Sequence, residues 1–166
     1  MQTMLVRMTL EEIILREYCE TDLEAIYRLD EDCFATAFRF DRESMREFAG
    51  ARNAICLIAE RRGGELAGFV IVHLDPKAAG LRGYVVTLDV AEGYRREGVA
   101  AKLMLEAESR ARAAGGWRME LHVFTGNEGA IRFYERMGYS RFAVQRRFYR
   151  TAGFDAFLYR KELAVL

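Results

Sequence analysis

Proline occurs once in this chain, at Pro76, and the sequence has no long linker, no low-complexity segment and no repeat of fixed period. Cysteine is equally scarce. Cys19, Cys33 and Cys56 are odd in number and show no C-x-x-C spacing, which argues against a disulfide scaffold and suits a reducing cytoplasm. The two histidines, His73 and His122, lie far apart and outside any metal-ligand spacing, so no metal is expected. Charge of one sign is lacking too. Lys+Arg and Asp+Glu number 25 each, so the strong basic field of a nucleic-acid binder is missing and no nucleic acid partner is expected. No apolar run approaches the ~18–20 residues of a membrane span, and the opening Met1–Arg7 lacks the basic region and apolar run of a signal peptide. What the chain has is a core: 51% of its 166 residues are apolar and 12% are aromatic. The expectation is one soluble cytoplasmic domain over residues 1–166, as a monomer or homodimer, without a membrane partner.

Hydrophobic periodicity predicts a strand over residues 12–17 and a helix over 21–32 that Thr21 or Asp22 can cap. Leu23, Ile26, Tyr27 and Leu29 lie on its apolar side. An aromatic-rich connector, residues 34–40, leads to a short helix capped by Asp41. Two strands, 54–61 and 65–74, flank the hairpin turn Arg62-Gly63-Gly64. A strand over 83–90 precedes a helix that starts near Gly98 and stops at Gly115-Gly116. A strand over 118–124, a helix from Asn127 to Met137 with Gly138 just beyond it, and strands 140–148 and 154–162 complete the order. This β-α-α-β-β-β-α-β-α-β-β succession predicts a mixed α/β sheet with helices on both faces.

The turn after residues 83–90 carries the first chemical signal. Arg95, Arg96, Glu97, Gly98, Val99 and Ala100 join a strand to a long helix. Unpaired backbone N–H groups and the dipole at a helix N-terminus favour an anion, and Gly98 and Ala100 leave room for its approach. The segment reads as a pyrophosphate cradle or as an ordinary strand–helix connection. It is neither a Walker A loop nor a G-x-G-x-x-G dinucleotide turn.

Arg95-x-x-Gly98-x-Ala100 resembles the R/Q-x-x-G-x-G/A signature of the GNAT N-acetyltransferase superfamily. About 30 residues on, Asn127–Tyr139 resembles that family's N-x-x-A-x-x-[FL]-Y-x-x-x-G-[FY] helix. The resemblance implies a mixed, mostly antiparallel seven-stranded sheet with a splay between its fourth and fifth strands. It implies acetyl-CoA as cosubstrate, with Leu88, Asp89 and Val90 offering backbone groups to the pantetheine arm, and Asn127, Ala130 and Tyr134 contacting the coenzyme. It makes Tyr134 the candidate general acid toward the leaving thiolate, since a phenol of reference pKa near 10 stays protonated at neutral pH. Without the motif, Tyr134 reads as a core aromatic on an amphipathic helix.

The acceptor side is similar to the N-terminal protein acetyltransferases and resembles the eukaryotic NatE-type catalytic subunit. Tyr84 in Tyr84–Leu88 and His122 in Glu120–Val123 match positions which that resemblance implies act as the base system through ordered water. The bacterial ribosomal-protein alanine acetyltransferases have a glutamate at the position of His122. Glu120, on the same strand face as His122, is the alternative base; a sheet histidine and a packed strand tyrosine are the structural alternatives. Phe34, Ala35 and Phe38 resemble the peptide-binding loop, where Ala35 stands for a proline and Phe38 for a tyrosine. Tyr149, beside Phe148, resembles the aromatic pair that covers a bound N-terminus. The acceptor implied is therefore the α-amine of a protein or peptide. Transfer to a small amine or lysine, and a non-catalytic acyl-CoA sensor, are the alternatives.

Overall fold

The computed structural model describes residues 12–164. Seven strands form one sheet in the order β1-β2-β3-β4-β5-β7-β6. The strands are β1 (Ile13–Glu17), β2 (Ala54–Arg61), β3 (Leu66–Lys77), β4 (Gly80–Val90), β5 (Gly116–Phe124), β6 (Ser140–Tyr149) and β7 (Phe154–Glu162). Four helices accompany them: α1 (Leu23–Cys33), α2 (Arg42–Gly50), α3 (Val99–Ala113) and α4 (Glu128–Arg136). Strands β4 and β5 run parallel and every other neighbouring pair is antiparallel. This is the mixed seven-stranded sheet that the sequence motifs predict. Among the described residues no helix is long and apolar enough to cross a membrane, and no group of three or more His, Cys, Asp or Glu side chains could hold a metal ion.

Both sheet faces carry a core. On one, Val99, Leu103, Met104, Ala107 and Ala111 of α3 and Tyr134 of α4 pack on Leu57, Val70, Val72, Val85, Met119 and Leu121. On the other, Leu23, Ile26 and Leu29 of α1 and Met45 and Ala49 of α2 pack on Cys56, Ile58, Phe69 and Ile71. Burying each large aliphatic side chain contributes about 1.5–3 kcal/mol, so both helix pairs are fixed by the period-2 apolar pattern of the central strands.

Several local expectations change in the structure. Asp22 does not cap α1 through its side chain. Its carboxylate forms a two-point ion pair with Arg16, at 2.8 Å for each contact, and also accepts from the Cys19 N–H at 2.9 Å. The Arg16 guanidinium thereby holds the Asp22 carboxyl down at about 2. Asp41, by contrast, caps α2 by accepting from the Ser44 N–H at 2.8 Å. The predicted strands 65–74 and 83–90 extend into a longer hairpin in which Asp75 faces Arg82 and Pro76 faces Leu81. Pro76 sits beyond the last β2–β3 pair, Ala54 with His73, so its missing N–H costs no ladder bond on that side.

Two irregularities shape the centre of the sheet. Opposite β3, Ile71 pairs with Thr87 but Val72 pairs with Val85, leaving Val86 as one extra residue in β4. A β-bulge of this kind reverses the side-chain alternation. Thr87 and Asp89 therefore share the α1/α2 face with Tyr84, while Leu88 and Val90 pack with the α3/α4 core. The second irregularity is the splay. Parallel pairing of β4 with β5 ends at Val85 with Leu121, although the strands continue to Val90 and Phe124. From Val86 onward, the β4 backbone edge facing β5 is open. Gly68 is required opposite this end, because a Cβ there would meet the Asp89 carbonyl oxygen at 2.6 Å.

Candidate active site

The seam between β4 and β5 collects the candidate residues from both sheet faces. At its end, β4 passes through a turn into α3. Arg96 and Gly98 both take positive φ, at 63° and 82°. Gly98 is the N-cap of α3, and its carbonyl accepts the Lys102 N–H. The following N–H groups at Val99, Ala100 and Ala101 open toward the turn, as helix starts leave them. Val99 is buried, Ala100 is half-buried, and Arg96 and Glu97 are exposed. The Arg95 side chain folds back, donating to the Val90 carbonyl at 3.1 Å and reaching the Cys33 sulfur at 3.6 Å. The sharp turn, the free N–H groups and the open strand edge fit a ligand with a phosphate group at one end and an extended amide arm at the other.

Residues of α4 border the same seam. The Asn127 side chain caps α4 by accepting the Ala130 N–H at 3.2 Å, so this carboxamide and the Ala130 amide are tied to each other. Tyr134 is 8% exposed and rests edge-on against Tyr139, with centroids 5.7 Å apart. Among the described residues its hydroxyl has no protein hydrogen-bond partner. Burial first, then the fields of Asp89 and Tyr149, push its pKa well above that of a free phenol. Tyr134 is thus a protonated donor at any ordinary pH.

The opposite face holds a hydrogen-bonded chain. The Tyr84 hydroxyl lies 2.7 Å from His122 Nδ1, and His122 Nε2 lies 2.8 Å from Gln145 Oε1. With Nε2–H donating to the Gln145 oxygen, the imidazole is neutral and Nδ1 accepts from Tyr84. Phe148 stacks flat on the ring, with centroids 3.9 Å apart and planes 2° from parallel. Burial lowers the His122 pKa, and nearby Arg82 adds to this against the opposing effects of Gln145 and Glu120. Burial raises the Tyr84 pKa to about 12. Glu120, on the same strand face, is held in an ion-pair cluster: Arg82 contacts one oxygen at 2.8 Å and Arg118 the other at 3.6 Å.

Aromatic side chains cover this chain. Phe38, in the 3-10 turn Thr36–Phe38 between α1 and α2, lies 4.7 Å from Tyr149, 5.1 Å from Phe124 and 5.8 Å from Phe154, centroid to centroid. The Tyr149 pKa rises to about 12 by burial. Phe34 is half-buried and its carbonyl accepts from Arg39; Ala35 is exposed. The α1–α2 connector and the β6–β7 hairpin thus meet over Tyr84 and His122.

Three sets of contacts here escape sequence reasoning, although Phe148 and Asp89 are themselves singled out by it. Gln145 and Phe148 hold His122 in place, and no spacing signals this, because the contacts cross from β6 to β5. The third is a carboxyl pair. Asp30 and Asp89 are 0% and 1% exposed and feel each other's charge, and Asp30 Oδ1 and Asp89 Oδ2 have no hydrogen-bond partner among the described residues. Asp30 also accepts the Phe40 N–H at 3.0 Å, and Asp89 accepts from the Thr87 hydroxyl. Burial is the chief cause that raises both pKa values, and Asp89 lies well above the ordinary carboxylate value. Both shifts favour the protonated form, and the Phe40 N–H to Asp30 bond places the α1–α2 connector beside the end of β4. An aspartate in the middle of the apolar run Val85–Val90 was the available signal. The Asp89 side chain accordingly faces α1, on the sheet face opposite Leu88 and Val90.

Raised carboxyl pKa values give stability that is complete below the usual aspartate pKa, about 4, and is lost as pH climbs through the folded-state values. Asp89→Asn keeps a donor toward Asp30 and removes one titration. Between pH 5 and pH 8 the wild type should lose stability relative to this variant. The gap in melting temperature should reach a few degrees, about what 1 kcal/mol is worth in a chain of this size. Parallel pH–melting curves for the two proteins would show that the pair is not protonated.

Comparison with known proteins agrees with this geometry. Residues 23–139 match the model of the acetyltransferase (GNAT) family. The N-alpha-acetyltransferase RimI of Mycobacterium tuberculosis is 30% identical over 117 residues, 70% of this chain and 71% of that protein. N-alpha-acetyltransferase 30 of Schizosaccharomyces pombe is 37% identical over 93 residues, 55% of this chain and 61% of its own. In six curated relatives, the matched stretch spans 41% to 71% of their length. The crystal structure of Arabidopsis thaliana NAA60 in complex with acetyl-CoA superposes with a TM-score of 0.83 at 25% identity, covering 91% of this chain and 98% of that one. By the family match across most of its length and by its seven-stranded splayed sheet, this chain belongs to the acetyltransferase (GNAT) family.

Proposed function

We propose that this chain transfers the acetyl group of acetyl-CoA directly to the α-amine of a protein or peptide. The observation that carries the reading is the Tyr84–His122–Gln145 chain, which presents a neutral, oriented imidazole behind a phenol at the β4–β5 splay. The relatives named as N-alpha-acetyltransferases support it.

In this reading the α3 N-terminus binds the pyrophosphate and the open edge of β4 binds the pantetheine arm. The donor approaches from the α3/α4 face and the amine from the α1/α2 face, so the two meet in the splay. An α-amine of pKa near 8 is about 10% neutral at pH 7, against well under 0.1% for a lysine near 10.4. The neutral amine adds to the thioester carbonyl. Tyr84 takes the excess proton from nitrogen as it passes its own to His122 Nδ1, so charge settles on the imidazole rather than on a phenolate. Collapse breaks the carbon–sulfur bond, and Tyr134 donates its proton to the departing thiolate. Solvent then returns a proton to Tyr134 and removes one from His122. Glu120 is a poorer base than His122 here, because Arg82 and Arg118 already stabilise its carboxylate.

The test is a panel of acceptors assayed with acetyl-CoA: peptides with free N-termini, the same peptides with blocked N-termini but an internal lysine, and small polyamines. Turnover should require the free α-amine. Acetylation of the blocked peptides or polyamines at equal kcat/KM would overturn the acceptor assignment, and binding of acetyl-CoA without turnover on any amine would make the chain an acyl-CoA sensor.

A further inference from the structure

The β6 edge next to His122 departs from regular pairing. Gln145 pairs with Ala156 and Tyr149 with Phe154, so four steps along β6 oppose two along β7. Arg146, Arg147 and Phe148 are looped out. Arg147 takes φ of 52°, and its N–H is held at 2.9 Å by the Asp155 carboxylate. A cleft of 580 Å3 opens here, lined by Gln145, Arg146, Arg147, Phe148 and Arg150. Two of these five residues, Gln145 and Phe148, are the ones that hold the His122 ring. The other three are arginines.

The lining of this cleft carries positive charge only. The chain as a whole is neutral, and several arginines outside the cleft are matched by carboxylates: Arg16 with Asp22 and Glu60, Arg82 with Asp75 and Glu120, Arg110 with Glu17 and Glu106. Among the described residues Arg146, Arg147 and Arg150 have no carboxylate partner for their guanidinium groups. The hairpin's Asp155 takes the Arg147 backbone N–H, and no acidic side chain lines the cleft. Three unmatched guanidinium groups beside an aromatic wall present fork-shaped donors suited to carboxylates.

We infer that this cleft selects acceptor peptides bearing aspartate or glutamate at the second to fourth residues, an inference that rests on the α-amine reading above. An extended peptide advances about 3.3–3.6 Å per residue. With the amine at Tyr84, the side chains of the next few residues fall beside Phe148 and the arginines flanking it. Carboxylates there replace the solvent around Arg146 and Arg150 and dock the chain without touching the reacting atoms. The selection acts on binding and on encounter rate, and weakens with salt.

The experiment measures kcat/KM for three peptides sharing one first residue, with Glu, Ser or Lys at positions two to four, on the wild type and on Arg146→Glu/Arg150→Glu. Arg147 is left intact because of its positive φ. In wild type the Glu peptide should exceed the Ser peptide by about tenfold, mostly through KM, and lose most of that lead in 0.5 M NaCl, where the Debye length falls to about 4 Å. The charge-reversed variant should prefer the Lys peptide while keeping its rate on the Ser peptide, which also shows that it folds. Equal rates on all three peptides, or a variant with unchanged ratios, overturn the inference while leaving α-amine transfer standing. No turnover of any peptide, with turnover of a small amine, instead removes the reading beneath it. A single-stranded RNA oligomer that inhibits more strongly than a blocked Glu peptide of equal charge would assign the cleft to nucleic acid and overturn the inference.

Discussion

Tyr134→Phe is expected to lower kcat by about 10²–10³-fold, the usual worth of a positioned general acid, while acetyl-CoA still binds. The variant deletes one oxygen from a side chain whose ring is packed against Tyr139 and whose hydroxyl serves no protein acceptor among the described residues. Stability of the unliganded protein should therefore hardly change. Binding is read separately from turnover. Acetyl-CoA at 100 times its dissociation constant stabilises a fold by about 2.7 kcal/mol, which at this chain length is about 5–10 °C in melting temperature. Wild type and variant should show the same shift. Because burial holds the Tyr134 proton far above neutrality, wild-type kcat should show no decline on the alkaline side up to about pH 9. A Tyr134→Phe protein with wild-type kcat would remove the tyrosine from the chemistry and leave it as a core aromatic.

The second large effect concerns Tyr84 and His122, tested together. Tyr84→Phe leaves His122 Nδ1 without its donor, and His122→Gln leaves the Tyr84 hydroxyl without an acceptor. Each should reduce kcat/KM by about 10²-fold if the two move one proton as a unit. The double variant should then be no slower than the worse single, since residues acting as a unit are strongly non-additive. Losses that multiply to about 10⁴ would show two independent roles. The pH profile adds an independent check. Burial lowers the His122 pKa and raises that of Tyr84 to about 12, so both are in their neutral forms where an α-amine titrates. The ascending limb of kcat/KM should follow the acceptor's own α-amine, near 8. A peptide whose amine pKa is lower should move the limb by the same amount. A limb fixed in place for all peptides would assign it to the enzyme.

Much of this architecture is legible in the sequence because it depends on local rules. The turn at Gly98, the cap at Asn127 and the cap at Asp41 are each decided within a few residues, and the structure has α3, α4 and α2 begin where those signals stand. The alternation of β5 puts Glu120 and His122 on one face, as period-2 geometry demands. What stayed hidden depends on distant partners. The extra residue at Val86 cannot be seen without β3 beside it, and it decides that Asp89 turns toward Asp30 instead of toward Leu88's face. That the Glu120 carboxylate is held in ion pairs is visible only with Arg82 and Arg118, which arrive from a neighbouring strand and from two residues away. Phe148 reaches His122 from the stretch of β6 looped out opposite Asp155, and Gln145 from the paired residue just before that stretch. The Asp75–Arg82 hairpin extension carries Pro76 within it, which is tolerated because β2 no longer pairs at that point.

The bulge at Val86 has a consequence for engineering. By reversing the parity of one strand, it lets a single sheet serve two separate tasks in the proposed transfer, with the thioester handled from one surface and its recipient from the other. The recipient's surroundings are supplied by two short excursions of chain, the connector after α1 and the looped-out end of β6, neither of which contributes to the cradle at Gly98. Those excursions are therefore a natural place for grafting: exchanging both as a matched set should retarget the protein to a different recipient while the half that holds the coenzyme is inherited unchanged.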